Sequence, residues 1–155
     1  MTQAQLIARI DRAWTSFVES YDGLTEEQMT APLVTSFWTL KDMISHVTWW
    51  EEEALKHLPH IAEGGRPPKY SVTYGSVDAF NGLMTEERRG LSLGEVLRRS
   101  EEVHNRLLDY LSSVPEDLIA TDTRFRKRLR LDTYGHYPIH TAVIREWRER
   151  ATRAK

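Results

Sequence analysis

Apolar residues recur at spacings of three and four in four long segments of this chain, and no segment alternates convincingly in the two-residue rhythm of a strand. In the first segment Leu6, Ile10, Ala13, Trp14, Phe17, Val18 and Tyr21 form one stripe, which predicts a helix over about residues 3–22 ended by Asp22-Gly23. In the second, Leu40, Met43, Ile44, Val47, Trp50, Ala54, Leu55 and Leu58 follow a Thr39 cap with Asp42 three residues on, and Pro59 is the expected stop. Leu93, Val96, Leu97, Val103, Leu107, Leu108 and Leu111 mark a third helix between the Ser92/Glu95 capping box and Pro115. Ile139, His140, Val143, Ile144 and Trp147 mark the last. Helices with stripes this wide are unstable alone in water and must bury their faces together. The expectation is an all-α four-helix bundle, one domain over residues 1–155.

Thr25 and Gln28 have capping-box spacing in the first connection. The second connection opens with Gly64-Gly65 and Pro67-Pro68, which break regular structure, and continues with a short extra helix that Ser76 would cap, through Asn81 to Glu87. Pattern alone leaves the order and direction of the four long helices open.

Composition removes several function classes. The chain has no cysteine, which excludes disulfides, thiolate ligands and a cysteine nucleophile and suits a reducing, cytoplasmic setting. The net charge of -2 offers no overall electrostatic footprint for nucleic acid. No stretch approaches the ~20 apolar residues of a membrane span, and the first residues begin an amphipathic helix in place of a secretory signal.

Chemistry concentrates in the histidines: His46, His57, His60, His104, His136 and His140. On a helix His136 and His140, four apart, share a face, and Val143 and Trp147 continue that line inward. His46 lies beside Met43 and Trp50 near the edge of the second stripe, placed to complete a three-imidazole site from a neighbouring helix. Neutral imidazoles suit zinc, nickel, copper or iron, and three leave coordination positions open. Pro138 belongs in a helix's first turn, so His136 should fall just before the last helix. The bland alternative is a set of hydrogen-bonded core histidines. His57, His60 and His104 are assigned no role.

The run from Trp38 to Glu51, with its histidine eight positions after the tryptophan, and the HxxxH pair His136/His140 resemble the DinB-like superfamily of four-helix bundles. Val77-Asp78-Ala79-Phe80-Asn81 and Asp132-Thr133-Tyr134-Gly135-His136-Tyr137 look like its self-protection branch, which includes the colibactin self-protection proteins. The resemblance spans nearly the whole chain. It implies an up-down-down-up bundle, a tendency to homodimers, and His46, His136 and His140 as ligands of a divalent metal, zinc or nickel. It also implies an activity on a reactive electrophilic small molecule, by hydrolysis or by transfer from a low-molecular-weight thiol. In the self-protection branch the histidine triad is not reliably kept, so a metal-free protein that sequesters a small molecule in the same cavity is the competing expectation. Trp50, Asn81 and Tyr134 are the substrate-pocket candidates.

The remaining features read as surface. Arg124, Arg126, Lys127, Arg128 and Arg130 are expected in a solvated loop or strand-like edge, although they offer charge for an anionic thiol. Glu51, Glu52 and Glu53 could supply a general base but read better as a solvated helix face. Of the adjacent tryptophans, Trp50 is expected inside, with Trp49 lining a cleft or an interface.

Overall fold

A computed structural model describes residues 1–153. Its helices are α1 (Gln3–Tyr21), α2 (Glu26–Thr30), α3 (Leu40–Ala62), α4 (Tyr70–Thr73), α5 (Val77–Arg88), α6 (Leu93–Ser112), α7 (Arg124–Asp132) and α8 (Tyr137–Arg153), with a 3₁₀ turn at Glu116–Leu118. No strand forms among the described residues, where Leu33 and Thr39 make an isolated bridge. No described helix is long and apolar enough to cross a membrane.

The four long helices α1, α3, α6 and α8 form the bundle, and side-chain bonds at their ends fix its directions. Gln3, at the start of α1, donates to the Leu111 and Val114 carbonyls at the end of α6, so these two helices are antiparallel. Lys41, at the start of α3, donates to the Arg89 and Leu91 carbonyls just before α6, so α3 and α6 run the same way. Arg148, late in α8, donates to the Ser20 and Asp22 carbonyls at the end of α1, so α1 and α8 are parallel. The order is up, down, down, up, as the resemblance implies.

Each long stripe reaches a common core, with Ile10 and Phe17 from α1, Met43 from α3, Leu107 from α6 and Ile144 from α8 buried almost completely. Reciprocal capping boxes fix the starts of α1, α2 and α3 through Thr2/Gln5, Thr25/Gln28 and Thr39/Asp42. At Ser92 the hydroxyl accepts from the Glu95 amide, but the Glu95 carboxylate is taken by Arg98 and Arg99, so the box expected to be cleanest closes on one side.

Several local expectations are corrected. Pro59 does not end α3, which continues to Ala62. Proline there forfeits one helical bond; the turn beyond it buries Ile61, and the Gly64 and Gly65 amides return to the Ile61 and His60 carbonyls. The basic cluster is helical: Thr123 caps α7, and Phe125 and Leu129, four apart, anchor it in the core while the cations between them face outward or pair. The helical signal was masked by charge, because a short helix needs few apolar residues to dock. The connection between the second and third long helices carries α4 as well as the anticipated helix α5.

Candidate metal centre

His46 is placed by the start of α3. Thr39 caps that helix, and Trp38 just before it packs on the His46 ring with centroids 4.4 Å apart. Trp49, one turn on, meets the same ring edge-on at 4.9 Å. The Trp38 indole N–H donates to Thr85 of α5, which ties this wall to a third helix.

His136 lies in the tight turn between α7 and α8, and His140 one turn into α8. The turn closes through Gly135 and His136, whose amides donate to the Arg130 and Thr133 carbonyls. A Cβ on Gly135 would stand 2.7 Å from the Arg130 carbonyl oxygen, so this approach admits only glycine without a backbone shift. Pro138 occupies the second position of α8, in the first turn where its missing N–H costs nothing, and His136 precedes the helix as anticipated.

The structure brings the three rings together. The Nε2 atoms of His46 and His136 are 3.1 Å apart, and those of His140 and His136 are 2.9 Å apart. Burial, and then the neighbouring imidazoles, holds His46 down at about 2 and His136 at about 3; burial holds His140 at about 4. The rings are therefore neutral near pH 7, the form that binds metal.

Direct hydrogen bonding satisfies the cluster incompletely. Each ring nitrogen has one in-plane position, holding either a proton or a lone pair. His136 Nε2 faces two nitrogens and can serve only one of them. Metal–nitrogen bonds of about 2.0–2.1 Å place neighbouring donors roughly 3 Å apart, and the observed separations of 3.1 and 2.9 Å match. Donor type, neutrality and spacing all fit a divalent ion. The outer nitrogens fit less well: His46 Nδ1 and His136 Nδ1 are buried with no hydrogen-bond partner among the described residues. Metal-bound histidines usually donate that N–H to an oxygen.

A cavity of about 380 Å³ opens onto His46 and His136, walled by Trp50, Tyr70, Asn81, Arg128 and Asp132. A larger groove of about 490 Å³ runs by Gly23 and Trp147, with no histidine or carboxylate on its walls, and offers no comparable chemistry. The two tryptophans exchange their expected places. Trp49 is 1% exposed in the core, whereas Trp50 is half-buried and lines the cavity, because Trp38, His46, and Asn81 and Arg88 of α5 surround Trp49. Asn81 lines the cavity, and its Oδ1 accepts both indole N–H groups, at 3.1 Å from Trp49 and 3.0 Å from Trp50. Tyr134 is not among the cavity's walls: the Arg9 guanidinium lies 4.7 Å from its ring centroid, and its hydroxyl is buried without a partner among the described residues.

The Glu51–Glu53 triplet is no solvated face. Glu51 is fully buried and accepts from Tyr137 Oη at 2.9 Å, with His104 Nδ1 2.8 Å from the same oxygen. His104 Nε2 lies 3.1 Å from Asp11, and Trp14 stacks on the His104 ring at 4.0 Å. This chain links all four bundle helices. Glu52 pairs with both terminal nitrogens of Arg88, and Glu53 accepts from Tyr70 Oη. His104 carried no legible signal, since its partners lie 53 and 93 positions away.

A four-helix bundle with three convergent imidazoles defines the class of protein. The sequence profile of the DinB superfamily matches residues 9–143, and the chain belongs to that superfamily. Among solved structures, an uncharacterised protein from Escherichia coli UTI89 superposes with a TM-score of 0.81 at 14% identity, over 97% of this chain and 95% of that one. DfsB, described as a sibling lethal factor precursor, superposes with a TM-score of 0.79 at 15% identity, over 97% of each chain. The colibactin self-resistance protein ClbS, solved in complex with double-stranded DNA, superposes with a TM-score of 0.80 at 15% identity, over 95% of each chain. At such identities these likenesses speak for the fold alone. No curated protein matches the sequence.

Proposed function

We propose that this protein is a metal-dependent enzyme acting on a reactive electrophilic small molecule, with His46, His136 and His140 as the ligands of a divalent ion, zinc or nickel. The observation that carries the reading is His136 Nε2 facing two nitrogens at hydrogen-bond distance while able to serve one. A bound ion of this kind supplies Lewis acidity that lowers the pKa of a coordinated water or thiol. The chain's own residues do the rest. Trp38 and Trp49 enclose His46 and keep it neutral. Trp50 and Tyr70 form an aromatic wall beside His136, and Asn81 adds a polar group to the lining.

Hydrolysis, or transfer from a low-molecular-weight thiol, in detoxification or self-protection is the reaction class that suits such a site. The role of ClbS in colibactin self-resistance agrees with it. A small-molecule partner is proposed over nucleic acid, since the cavity is small and lined by aromatic and histidine side chains and the net charge is -2. A homodimer in the cytoplasm completes the proposal.

A second reading rests on the partnerless Nδ1 atoms of His46 and His136, which lack the oxygen partners usual at metal sites. In it the cavity sequesters a small molecule without metal and without turnover.

The deciding measurement is the metal content of tag-free protein beside that of His140→Ala, followed by turnover of candidate electrophiles. Near-stoichiometric zinc or nickel in the parent, absent from the variant, with multiple turnovers, supports the enzyme. No metal uptake after incubation with either ion, with protection limited to one molecule per chain, selects the binding protein.

A further inference from the structure

The orientation of the Asn81 side chain is fixed by chemistry. An indole nitrogen can only donate. Both indoles that meet the Asn81 amide, from Trp49 and Trp50, therefore require its oxygen. The amide nitrogen must point away from them, and among the described residues it makes no hydrogen bond. Asn81 stands on the wall of the cavity that His46 and His136 also line. Asn81 also borders a groove of about 430 Å³ beside Trp38 and Thr85. Of the two spaces only the first is shared with the histidines, and an amide donor without a partner of its own selects there for an acceptor.

The charge of the wall narrows the occupant further. Arg128 is the one cation among the cavity's lining residues. Its Nε donates to Asp132 at 2.7 Å, and a terminal nitrogen donates to Tyr70 Oη at 2.8 Å. Tyr70 Oη donates in turn to Glu53. The guanidinium is neutralised within the wall, so an anion would have to compete with a buried carboxylate for it. At the mouth stand Val77 and Leu131, exposed and apolar.

We propose that the cavity binds an uncharged, largely aromatic or apolar molecule bearing a carbonyl-type oxygen, and that Asn81 Nδ2 donates to that oxygen beside His46 and His136. The proposal deepens the enzyme reading by naming its substrate class, and it rests on that reading only for what happens to the molecule once bound. Asn81 is a specificity residue here, held by two tryptophans and not free to turn.

The test uses the isosteric variant Asn81→Asp at pH 8, which keeps an oxygen for both indoles and removes the donor. The probes are acetanilide, which carries the carbonyl, N-ethylaniline, which lacks it, and benzoate, which adds charge. Binding is followed by ¹H–¹⁵N correlation spectra through the Asn81 side-chain amide and the two indole N–H signals, on zinc-treated and on chelator-treated protein. Acetanilide should shift the Asn81 amide signals of the parent and bind at least fivefold more weakly to Asn81→Asp, while N-ethylaniline changes less than twofold. Equal weakening of both neutral probes, no weakening of either, benzoate binding as tightly as acetanilide, or acetanilide leaving the parent's signals unmoved would each overturn the proposal. Should Asn81→Asp fail to fold, the contrast between the probes in the parent still decides it. Absence of both zinc and nickel uptake by the parent refutes the metal reading separately and leaves the probe contrast intact.

Discussion

The Nε2 atoms of His46 and His136 meet at 3.1 Å although 90 positions separate the two residues. One sits on a regular helix and the other in a glycine-dependent turn. Their convergence therefore depends on how α3 and the α7–α8 turn are held together, and four consequences can be measured.

Metal should stabilise the fold as well as equip it. An ion that binds the folded chain alone contributes about 2.7 kcal/mol at a free concentration of ~100 Kd. Thermal unfolding of chelator-treated protein should move upward on adding zinc or nickel, and the gain should vanish in His136→Ala. A melting temperature indifferent to both ions would count against the site.

The metal-free protein should lose triad-derived stability on acidification. His46, His136 and His140 are held at about 2, 3 and 4 in the fold, whereas unfolded histidine titrates near ~6.5. Below that pH the unfolded chain binds protons that the folded triad refuses, so this contribution is present above ~6.5 and is lost progressively as pH falls from there through the folded values of about 4, 3 and 2. Asp132 acts in the opposite direction. Burial, against the pull of Arg128, pushes its carboxyl up to about 7, so the fold keeps a proton that the unfolded chain releases. Buried Glu51 is raised as well and adds to this opposition. Asp132→Asn should therefore steepen the loss of stability between pH 6.5 and 5, as read from denaturant midpoints. An unchanged slope would contradict the assignment.

Glu51→Ala should be among the most damaging single changes. It strips the Nδ1 partner from buried His104 and the acceptor from Tyr137 Oη. Leaving two buried groups without partners costs about 1–3 kcal/mol for each, whereas Tyr137→Phe, which removes one hydrogen bond and leaves Glu51 beside His104, should cost about 0.5–1.5 kcal/mol. Equilibrium urea unfolding separates the two, and equal effects would mean that the Glu51–His104 contact contributes nothing of its own.

Gly135→Ala drives a methyl against the Arg130 carbonyl. Relief requires a backbone shift next to His136, at a cost of about 1–3 kcal/mol. The variant should fold with weakened zinc affinity, measured by competition with a chromophoric chelator. Gly82→Ala, where added bulk meets open space, is the matched control and should leave zinc affinity unchanged.

Periodicity by itself determined the long helices. Stripes such as Leu6, Ile10 and Phe17 are local signals, and the Thr2, Thr25 and Thr39 caps lie within a few residues of what they cap. The candidate ligands His46, His136 and His140 were legible too, through an i,i+4 pair, a neighbouring stripe and a family resemblance. Tertiary structure alone decided the rest. Which of Trp49 and Trp50 faces the cavity depends on where α5 and α7 dock, and one residue of rotation along α3 exchanges them. Glu51 and His104 read as a surface carboxylate and an idle histidine because each is explained only by the other, 53 positions away across the bundle. Tyr134 turned toward Arg9 for a reason of the same kind. Helix formation is settled within a turn or two of the chain, whereas the pairing of polar groups in a core is settled by which helices become neighbours.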